Sequence, residues 1–192
     1  MESVIKLGDI IKFGGYDWRV LDKHKTAVLV VTEDIVEMRY YHHADTTMTW
    51  DKSDLRDYLN SEFYDTFDDT DKSKIIAVTN KNRKNQIFGT SGGEDTKDNI
   101  FLLSLEEYVR YFCDDISAQQ LADKDCDSLC EIKHYSPIRK VKFGRKFSAL
   151  WLRSPGCYDF HAVYVNANGC IKALGDRFNR VKGVRPALWL TI

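Results

Sequence analysis

The sequence is poor in proline, carries an odd number of cysteines and has no long apolar run. Three prolines and eleven glycines in 192 residues are typical of an ordinary globular domain. Five cysteines do not form the dense framework of a small disulfide-rich domain, so we expect reduced thiols. No apolar run approaches the roughly 18 residues of a membrane span. The opening segment, 1–6, also lacks the basic start and apolar core of a signal peptide. We therefore expect a cytoplasmic protein with no membrane partner.

Neither sign of charge is in excess. The chain has 28 Lys and Arg against 29 Asp and Glu, a formal net charge of -1. This balance gives no overall attraction to nucleic acid or to an anionic membrane, so any such binding would need a local basic patch. With 43% hydrophobic residues, a chain of this length can bury a sizeable core. We predict a single domain over residues 1–192.

Recognisable catalytic signatures are missing from the sequence. There is no G-x-S-x-G nucleophile motif, no phosphate-binding loop and no dinucleotide-binding fingerprint. Cys126 and Cys130 with His134 are a weak metal pattern, because zinc sites normally show two close pairs. Cys157 and Cys170 flank one predicted hairpin and are expected to remain thiols. We predict no metal site, no cofactor and no enzymatic activity.

The sequence does contain clear signals for strands and helices. β-branched and aromatic residues cluster at 10–13, 16–22 and 27–32 around turn residues, which predicts an N-terminal meander. Apolar residues at helical spacing predict a helix over 53–63 with Ser53 as its N-cap. Ser104 and Glu107 form a capping box, which predicts a second helix over about 104–113. Residues 79–99 are predicted to be a loop.

Three motifs near the C-terminus carry a family resemblance. They are WLRSPG at 151–156, YVNANG at 164–169 and GVRPALWL at 183–190, and each joins a short apolar run to a turn signal. In this order they resemble an uncharacterised bacterial domain family that closes with WLRSPG, YVNxxG and GVRPALWL. Segments 8–21, 49–60 and 100–107 resemble the first hairpin, the first helix and the entry to the second helix of that family. The family is similar to a branch of the C-type-lectin-like fold, which formylglycine-generating enzymes and retroelement-diversified binding proteins share.

This resemblance implies an α+β fold of C-type-lectin-like architecture, with mixed or antiparallel sheets, two main helices and long loops. Residues 114–147 fit the pattern least and are predicted to be an insertion. The reactive cysteine pair of the formylglycine-generating enzymes has no match, and the EPN, QPD and WND motifs of sugar-binding lectins are absent. The resemblance therefore favours a non-catalytic binding module. A metal- or thiol-dependent enzyme of the formylglycine-generating type is a third hypothesis.

The candidate ligand surface lies in residues 156–180, just ahead of the closing motif, where the diversified relatives contact ligands. Aromatic anchors, adaptable amides and arginines make a good recognition surface. We expect it to bind a protein or another macromolecule through Tyr158, Asp159, Phe160, His161, Asp176, Arg177, Phe178, Asn179 and Arg180. Trp50, Arg153 and Arg185 are predicted to have structural roles instead.

An alternative partner is nucleic acid, in a phage or defence setting. The segment 133–146 is basic and has aromatic residues interleaved at Tyr135 and Phe143. Such a mixture grips phosphates and stacks bases. The residues that would carry this binding are Arg139, Lys140, Lys142, Arg145 and Lys146.

Overall fold

The structure is a computed structural model that describes residues 5–115, 119, 121 and 137–192. Its strands are β1 (Ile10–Phe13), β2 (Tyr16–His24), β3 (Ala27–Thr32), β4 (Glu37–Tyr40), β5 (Ile75–Ile76), β6 (Val78–Asn80), β7 (Thr96–Asp98), β8 (Lys142–Phe143), β9 (Lys146–Phe147), β10 (Leu150–Pro155), β11 (His161–Val165), β12 (Ile171–Arg177), β13 (Val181–Val184) and β14 (Ala187–Thr191). The helices used below are α1 (Asp54–Asn60), α2 (Asp69–Lys72) and α3 (Leu105–Phe112), and short 3-10 turns occur at Trp50–Lys52, Tyr64–Thr66 and Pro137–Arg139. In the described part of the chain, no helix is both long enough and apolar enough to cross a membrane.

The first sheet has the strand order β1-β2-β3-β14-β5, and all its pairings are antiparallel. The predicted meander is confirmed, and only β2 runs further than expected, to His24. Trp18 and Val20 are buried while the residues between and beside them are more exposed, as expected for a strand with one covered face.

The second sheet has the order β12-β11-β10-β13-β4. Its pairings are antiparallel except for β10 with β13, which is parallel. All six residues of the central strand β10 are buried, because neighbouring elements cover both faces. The two sheets and two main helices make the fold α+β with mostly antiparallel sheets, as predicted.

One antiparallel ribbon joins the two sheets. Strand β3 pairs with β14 in the first sheet. The strand after β3, which is β4, pairs with the strand before β14, which is β13, in the second sheet. Between these pairings the ladder continues, with Thr32 N donating to Pro186 O at 3.0 Å and Val36 N to Val184 O at 3.0 Å. The GVRPALWL motif therefore crosses from one sheet to the other within eight residues.

Both predicted helices are present with their predicted N-caps. Ser53 Oγ accepts from Arg56 N at 3.2 Å, and α1 ends at Asn60, three residues earlier than predicted. The Asn60 side chain explains this end, since its amide donates to Ile100 O at 2.9 Å and its Oδ1 accepts from Asn99 N at 2.8 Å. The helix terminus is thus tied to a neighbouring segment rather than extended.

The capping box of α3 is also confirmed, with Ser104 Oγ accepting from Glu107 N and Glu107 accepting from Ser104 N. Glu107 additionally forms a bidentate pair with the buried Arg153 of β10. Burial by itself would raise the pKa of Glu107, but the Arg153 guanidinium and the Ser104 hydrogen bonds hold it below its usual value. One side chain therefore caps a helix and fastens it to the central strand.

The prediction that residues 79–99 are all loop was wrong in part, because β6 and β7 lie at its two ends. The buried carboxylate of Asp98 organises this small sheet. It accepts hydrogen bonds from four side chains, namely Trp50 at 3.2 Å, Arg56 at 2.7 Å, Asn80 at 2.9 Å and Thr96 at 2.7 Å. Sequence spacing did not reveal the strands because three residues each are too short to show a period.

We expect Asp98→Ala to lower the free energy of unfolding by about 3 kcal/mol, because it removes the charge partner of Arg56 and leaves buried donors unsatisfied. Urea unfolding followed by circular dichroism measures this. Asp95→Ala is the matched control, since Asp95 pairs with Lys81 at the exposed surface nearby and its loss should change little. Equal effects of the two substitutions would contradict the central role of Asp98.

Candidate functional site

The predicted ligand residues occupy the loop between β10 and β11, the first residue of β11, and the strand β12 with the turn after it. Tyr158 is 58% exposed and stacks face to face on Phe160, with ring centroids 5.4 Å apart and planes 3° from parallel. His161 meets both rings edge-on, at 5.2 and 4.8 Å. Arg177 lies over Phe160, with 5.3 Å from its guanidinium carbon to the ring centroid. We name these four residues the Tyr158 surface.

The backbone around the Tyr158 surface is fixed by hydrogen bonds. Gly156 N donates to His161 O at 2.7 Å and His161 N to Tyr158 O at 3.0 Å, which closes the loop on itself. Cys157 N donates to Leu174 O at 2.8 Å, which fastens the loop to β12. The loop is therefore positioned before any ligand arrives.

Two glycines allow the loop to lie this close to β12. A Cβ on Gly156 would lie 2.5 Å from Leu174 O, and one on Gly175 would lie 2.7 Å from Ala162 O. Gly175 also has a φ of +79°, in the left-handed region that favours glycine. The register of β11 with β12 shifts beside it. The local sequence thus builds a bulge that brings the loop and the strand together.

A second loop supports the same residues from the side. Thr47 Oγ1 donates to Asp159 Oδ2 at 2.9 Å, and Met48 N donates to Asp159 O at 3.0 Å. Arg177 forms an ion pair with Asp45. Asp159 therefore acts as an anchor between loops, while the ion pair with Asp45 holds the Arg177 guanidinium beside the Phe160 ring.

The prediction that Phe178 contacts a ligand was wrong. Its side chain is only 1% exposed and stacks on Tyr41 with ring centroids 5.0 Å apart. Its backbone N donates to Phe160 O at 3.2 Å. Phe178 is thus a core residue, and its backbone hydrogen bond to Phe160 supports the Tyr158 surface.

The remaining predicted ligand residues divide between structure and surface. Asp176 is half-buried and accepts from Lys182 Nζ at 2.5 Å. Burial acts to raise its pKa, yet Lys182 and neighbouring donors hold that pKa below its usual value. Asn179 and Arg180 are exposed at the turn into β13. Together with Asp159, which is also exposed, these two extend the predicted surface beyond the Tyr158 surface.

The basic segment is only partly a surface. Arg139 is 1% exposed and donates to Cys113 Sγ at 3.4 Å, so its prediction as a nucleic-acid contact was wrong. The other four predicted cations, Lys140, Lys142, Arg145 and Lys146, are exposed. Two exposed aromatic residues lie among them, Phe143 at 44% and Phe147 at 50%. We name the turn formed by β8 and β9 with its cations the basic hairpin; Tyr135 lies outside the described residues.

The structural roles predicted for Trp50, Arg153 and Arg185 are confirmed. Trp50 donates to Asp98, Arg153 pairs with Glu107, and Arg185 Nε donates to Thr32 O at 2.8 Å. The weak metal pattern of Cys126, Cys130 and His134 lies outside the described residues. Cys157 Sγ lies 3.8 Å from His161 Nδ1, and Cys170 is buried.

One group of polar residues was missed at the sequence level. His42, His43 and Asp54 come together where the segment after β4 meets the first turn of α1. The carboxylate lies 2.9 Å from His42 Nδ1 and 2.6 Å from His43 Nδ1. The adjacent histidines are visible in the sequence, but their carboxylate is eleven residues away and only the fold brings it near.

We expect Phe178→Ala to reduce the free energy of unfolding by about 3–5 kcal/mol, because it empties a ring-sized space against Tyr41. Tyr158→Ala should cost less than about 1.5 kcal/mol, since it removes one exposed stacking contact. Denaturant unfolding of both variants tests the division into core and surface. A Phe178→Ala variant as stable as the parent would show that this ring is not part of the core.

Comparisons with known proteins place the chain in a family. No curated protein and no solved structure matches it. Residues 25–192 match the family described as "Domain of unknown function (DUF6273)", which covers most of the chain, including all three C-terminal motifs and both main helices. The chain therefore belongs to the DUF6273 family.

Proposed function

We propose that this protein is a non-catalytic binding module that recognises another protein through the Tyr158 surface. The observation that carries the proposal is the exposed, parallel stack of Tyr158 on Phe160 beside the Arg177 guanidinium. Tyrosine and arginine are enriched among the residues that dominate protein–protein binding energy. The aromatic rings supply a large contact area, and few side-chain torsions have to be fixed when they bind.

Preorganisation strengthens this proposal. Ordering a loop on binding subtracts from affinity, whereas this loop is already held by Leu174, Met48 and its own turn. The exposed side chain of Leu174 adds apolar area on the strand to which the loop is fastened. Asn179 and Arg180 supply polar groups at the adjoining turn. The arrangement matches an apolar centre with a polar rim.

We further propose that the fold is C-type-lectin-like. In that architecture the N- and C-terminal strands lie together and long loops are carried on the platform they form. Strand β14 pairs directly with β3 of the N-terminal meander, and the loop of the Tyr158 surface belongs to the other sheet. This arrangement supports the proposal, as does the order of the three C-terminal motifs. Binding through loops on a rigid scaffold is the usual mode in such folds.

The test is affinity capture of the tagged protein from its native cell extract after nuclease treatment, followed by mass spectrometry. We expect a defined partner protein whose recovery falls at least ~10-fold with Tyr158→Ala, the cost of losing a central contact of at least about 1.4 kcal/mol. Phe147→Ala is the matched control, because it removes an equally exposed aromatic ring from the basic hairpin. Recovery unchanged by Tyr158→Ala, or lost only with Phe147→Ala, would contradict the site assignment.

A second candidate function is nucleic-acid binding by the basic hairpin. The observation that favours it is the exposure of Phe143 and Phe147 on a two-stranded turn whose four residues in strands are all exposed. Lys142 lies 5.5 Å from the Phe147 ring centroid, so cation and aromatic face are side by side. This pairing suits single-stranded nucleic acid, because bases can stack on the aromatic rings while the lysines contact the phosphates.

For the basic hairpin we expect a fluorescent single-stranded 20-mer to bind with a log–log salt slope near −3, since four cations each displace about 0.7 counterions. The paired substitution Lys142→Glu and Lys146→Glu should abolish most of this dependence. The paired substitution Lys23→Glu and Lys25→Glu, an equal charge reversal at exposed residues beside the β2–β3 turn, is the control. A weak, salt-independent signal, or equal losses in the hairpin variant and the control, would exclude this function.

A further inference from the structure

The histidines at the end of β4 form a cluster with metal-ligand chemistry. His42 Nδ1, His43 Nδ1 and an oxygen of Asp54 belong to a group whose donor atoms all lie within 4.8 Å of one another. Two imidazole nitrogens and one carboxylate oxygen are a recurrent set for divalent transition metals. The set leaves open at least one coordination position, as catalytic and substrate-binding metal sites require.

A buried nitrogen without a hydrogen-bond partner gives an independent indication of a ligand. The side chain of His42 is 9% exposed. Its Nδ1 lies 2.9 Å from Asp54 Oδ1 but outside hydrogen-bonding direction, so within the described chain this buried atom has no hydrogen-bond partner. A buried polar atom left unpaired costs free energy. A cation held between the two groups would satisfy both the nitrogen and the carboxylate.

We propose that His42, His43 and Asp54 form a binding site for a divalent transition metal ion, with zinc as the best match. Zinc takes histidine nitrogen and carboxylate oxygen at about 2.0–2.2 Å, which places tetrahedral ligand atoms roughly 3.3 Å apart. The observed separations, 2.9 Å from His42 Nδ1 to Asp54 Oδ1 and 2.6 Å from His43 Nδ1 to Asp54 Oδ2, are shorter, so the ligands move outward by about half an ångström when the ion enters. His43 is exposed, so its side chain can make that movement when the ion replaces its Nδ1 contact with Asp54.

The fold holds two of the three ligands in place. The backbone N of His42 donates to Phe178 O at 3.4 Å, which ties it to the second sheet. Asp54 begins α1 directly after the N-cap Ser53, and its Oδ2 also accepts from His43 N at 2.9 Å. The backbone positions of His42 and Asp54 are thus set by the sheet and the helix. Such preorganisation favours binding, because little chain entropy is lost.

The open side of the site faces a surface groove. His43 and Asp54 are among the residues that line a groove of about 410 Å³, together with Glu37, Arg39 and Val181. The charge of Arg39 is balanced by Glu37, whose carboxylate lies 3.0 Å from Arg39 Nε. The guanidinium carbon of Arg39 also lies 3.5 Å from the centroid of the Tyr58 ring. A bound ion would therefore complete its coordination with water or with a ligand group entering the groove.

The test is titration of the chelator-stripped full chain with ZnCl₂ by calorimetry and with CoCl₂ by visible absorption. We expect one equivalent of metal to bind, and His43→Ala and Asp54→Asn each to weaken binding at least ~10-fold. His24→Ala is the matched control, because it removes an exposed histidine on β2 away from the site. Zinc should also raise the melting temperature of the parent and of His24→Ala but not of His43→Ala.

Several outcomes would overturn the proposal. Absence of stoichiometric binding would show that the cluster is a histidine–carboxylate ion pair only. Binding that survives His43→Ala but is lost with Cys126→Ser would assign the metal to the cysteines instead, and the cobalt spectrum would then show thiolate bands. Because His43 is exposed, loss of binding in its alanine variant with an unchanged circular dichroism spectrum would not be explained by unfolding.

Discussion

The fold depends on the bend in the ribbon that joins the two sheets, and Arg185 holds that bend. Its Nε donates to Thr32 O and its Nη2 to Glu33 O, so one guanidinium binds the carbonyls where β3 leaves the first sheet. The same group lies 4.9 Å from the Phe112 ring of α3. Burial lowers the pKa of Arg185 from its ordinary value, because the cation is withdrawn from water. Without it, two backbone carbonyls at the crossing would lose their buried partner.

The bend also determines where both candidate sites lie. Beyond it, β4 leads into Tyr41, whose ring packs against Phe178 and Trp151 and whose hydroxyl donates to Arg153 O at 2.9 Å. Burial raises the pKa of Tyr41, consistent with a hydroxyl used only as a donor inside the core. Rings in van der Waals contact leave the residues on either side little freedom to shift. His42 follows Tyr41 directly in the chain, and Phe160 O accepts from the N–H of Phe178.

Local signals in the sequence predicted the elements well and the site only in part. The capping residues Ser53 and Ser104 act within one helical turn, so their spacing is sufficient to identify them. Phe178 and Arg139 were assigned to surfaces because they lie among polar neighbours in the chain. Their burial depends on contacts with residues distant in sequence, Tyr41 for Phe178 and Cys113 for Arg139. The His42, His43 and Asp54 cluster has the same origin, since only packing of α1 on β4 brings its carboxylate near.

The backbone of Phe178 connects the two candidate sites physically. Its N–H donates to Phe160 O, and its carbonyl accepts from the N–H groups of Tyr41 and His42. A displacement of the Phe160 loop must therefore either break one of these hydrogen bonds or move the segment after β4 that carries the histidines. Coupling of this kind requires a shared element with more than one arrangement. The Phe178 side chain is buried and stacked on Tyr41, and such close packing opposes a second arrangement. The contacts consequently favour a rigid support for two independent binding surfaces over a switch that transmits a signal between them.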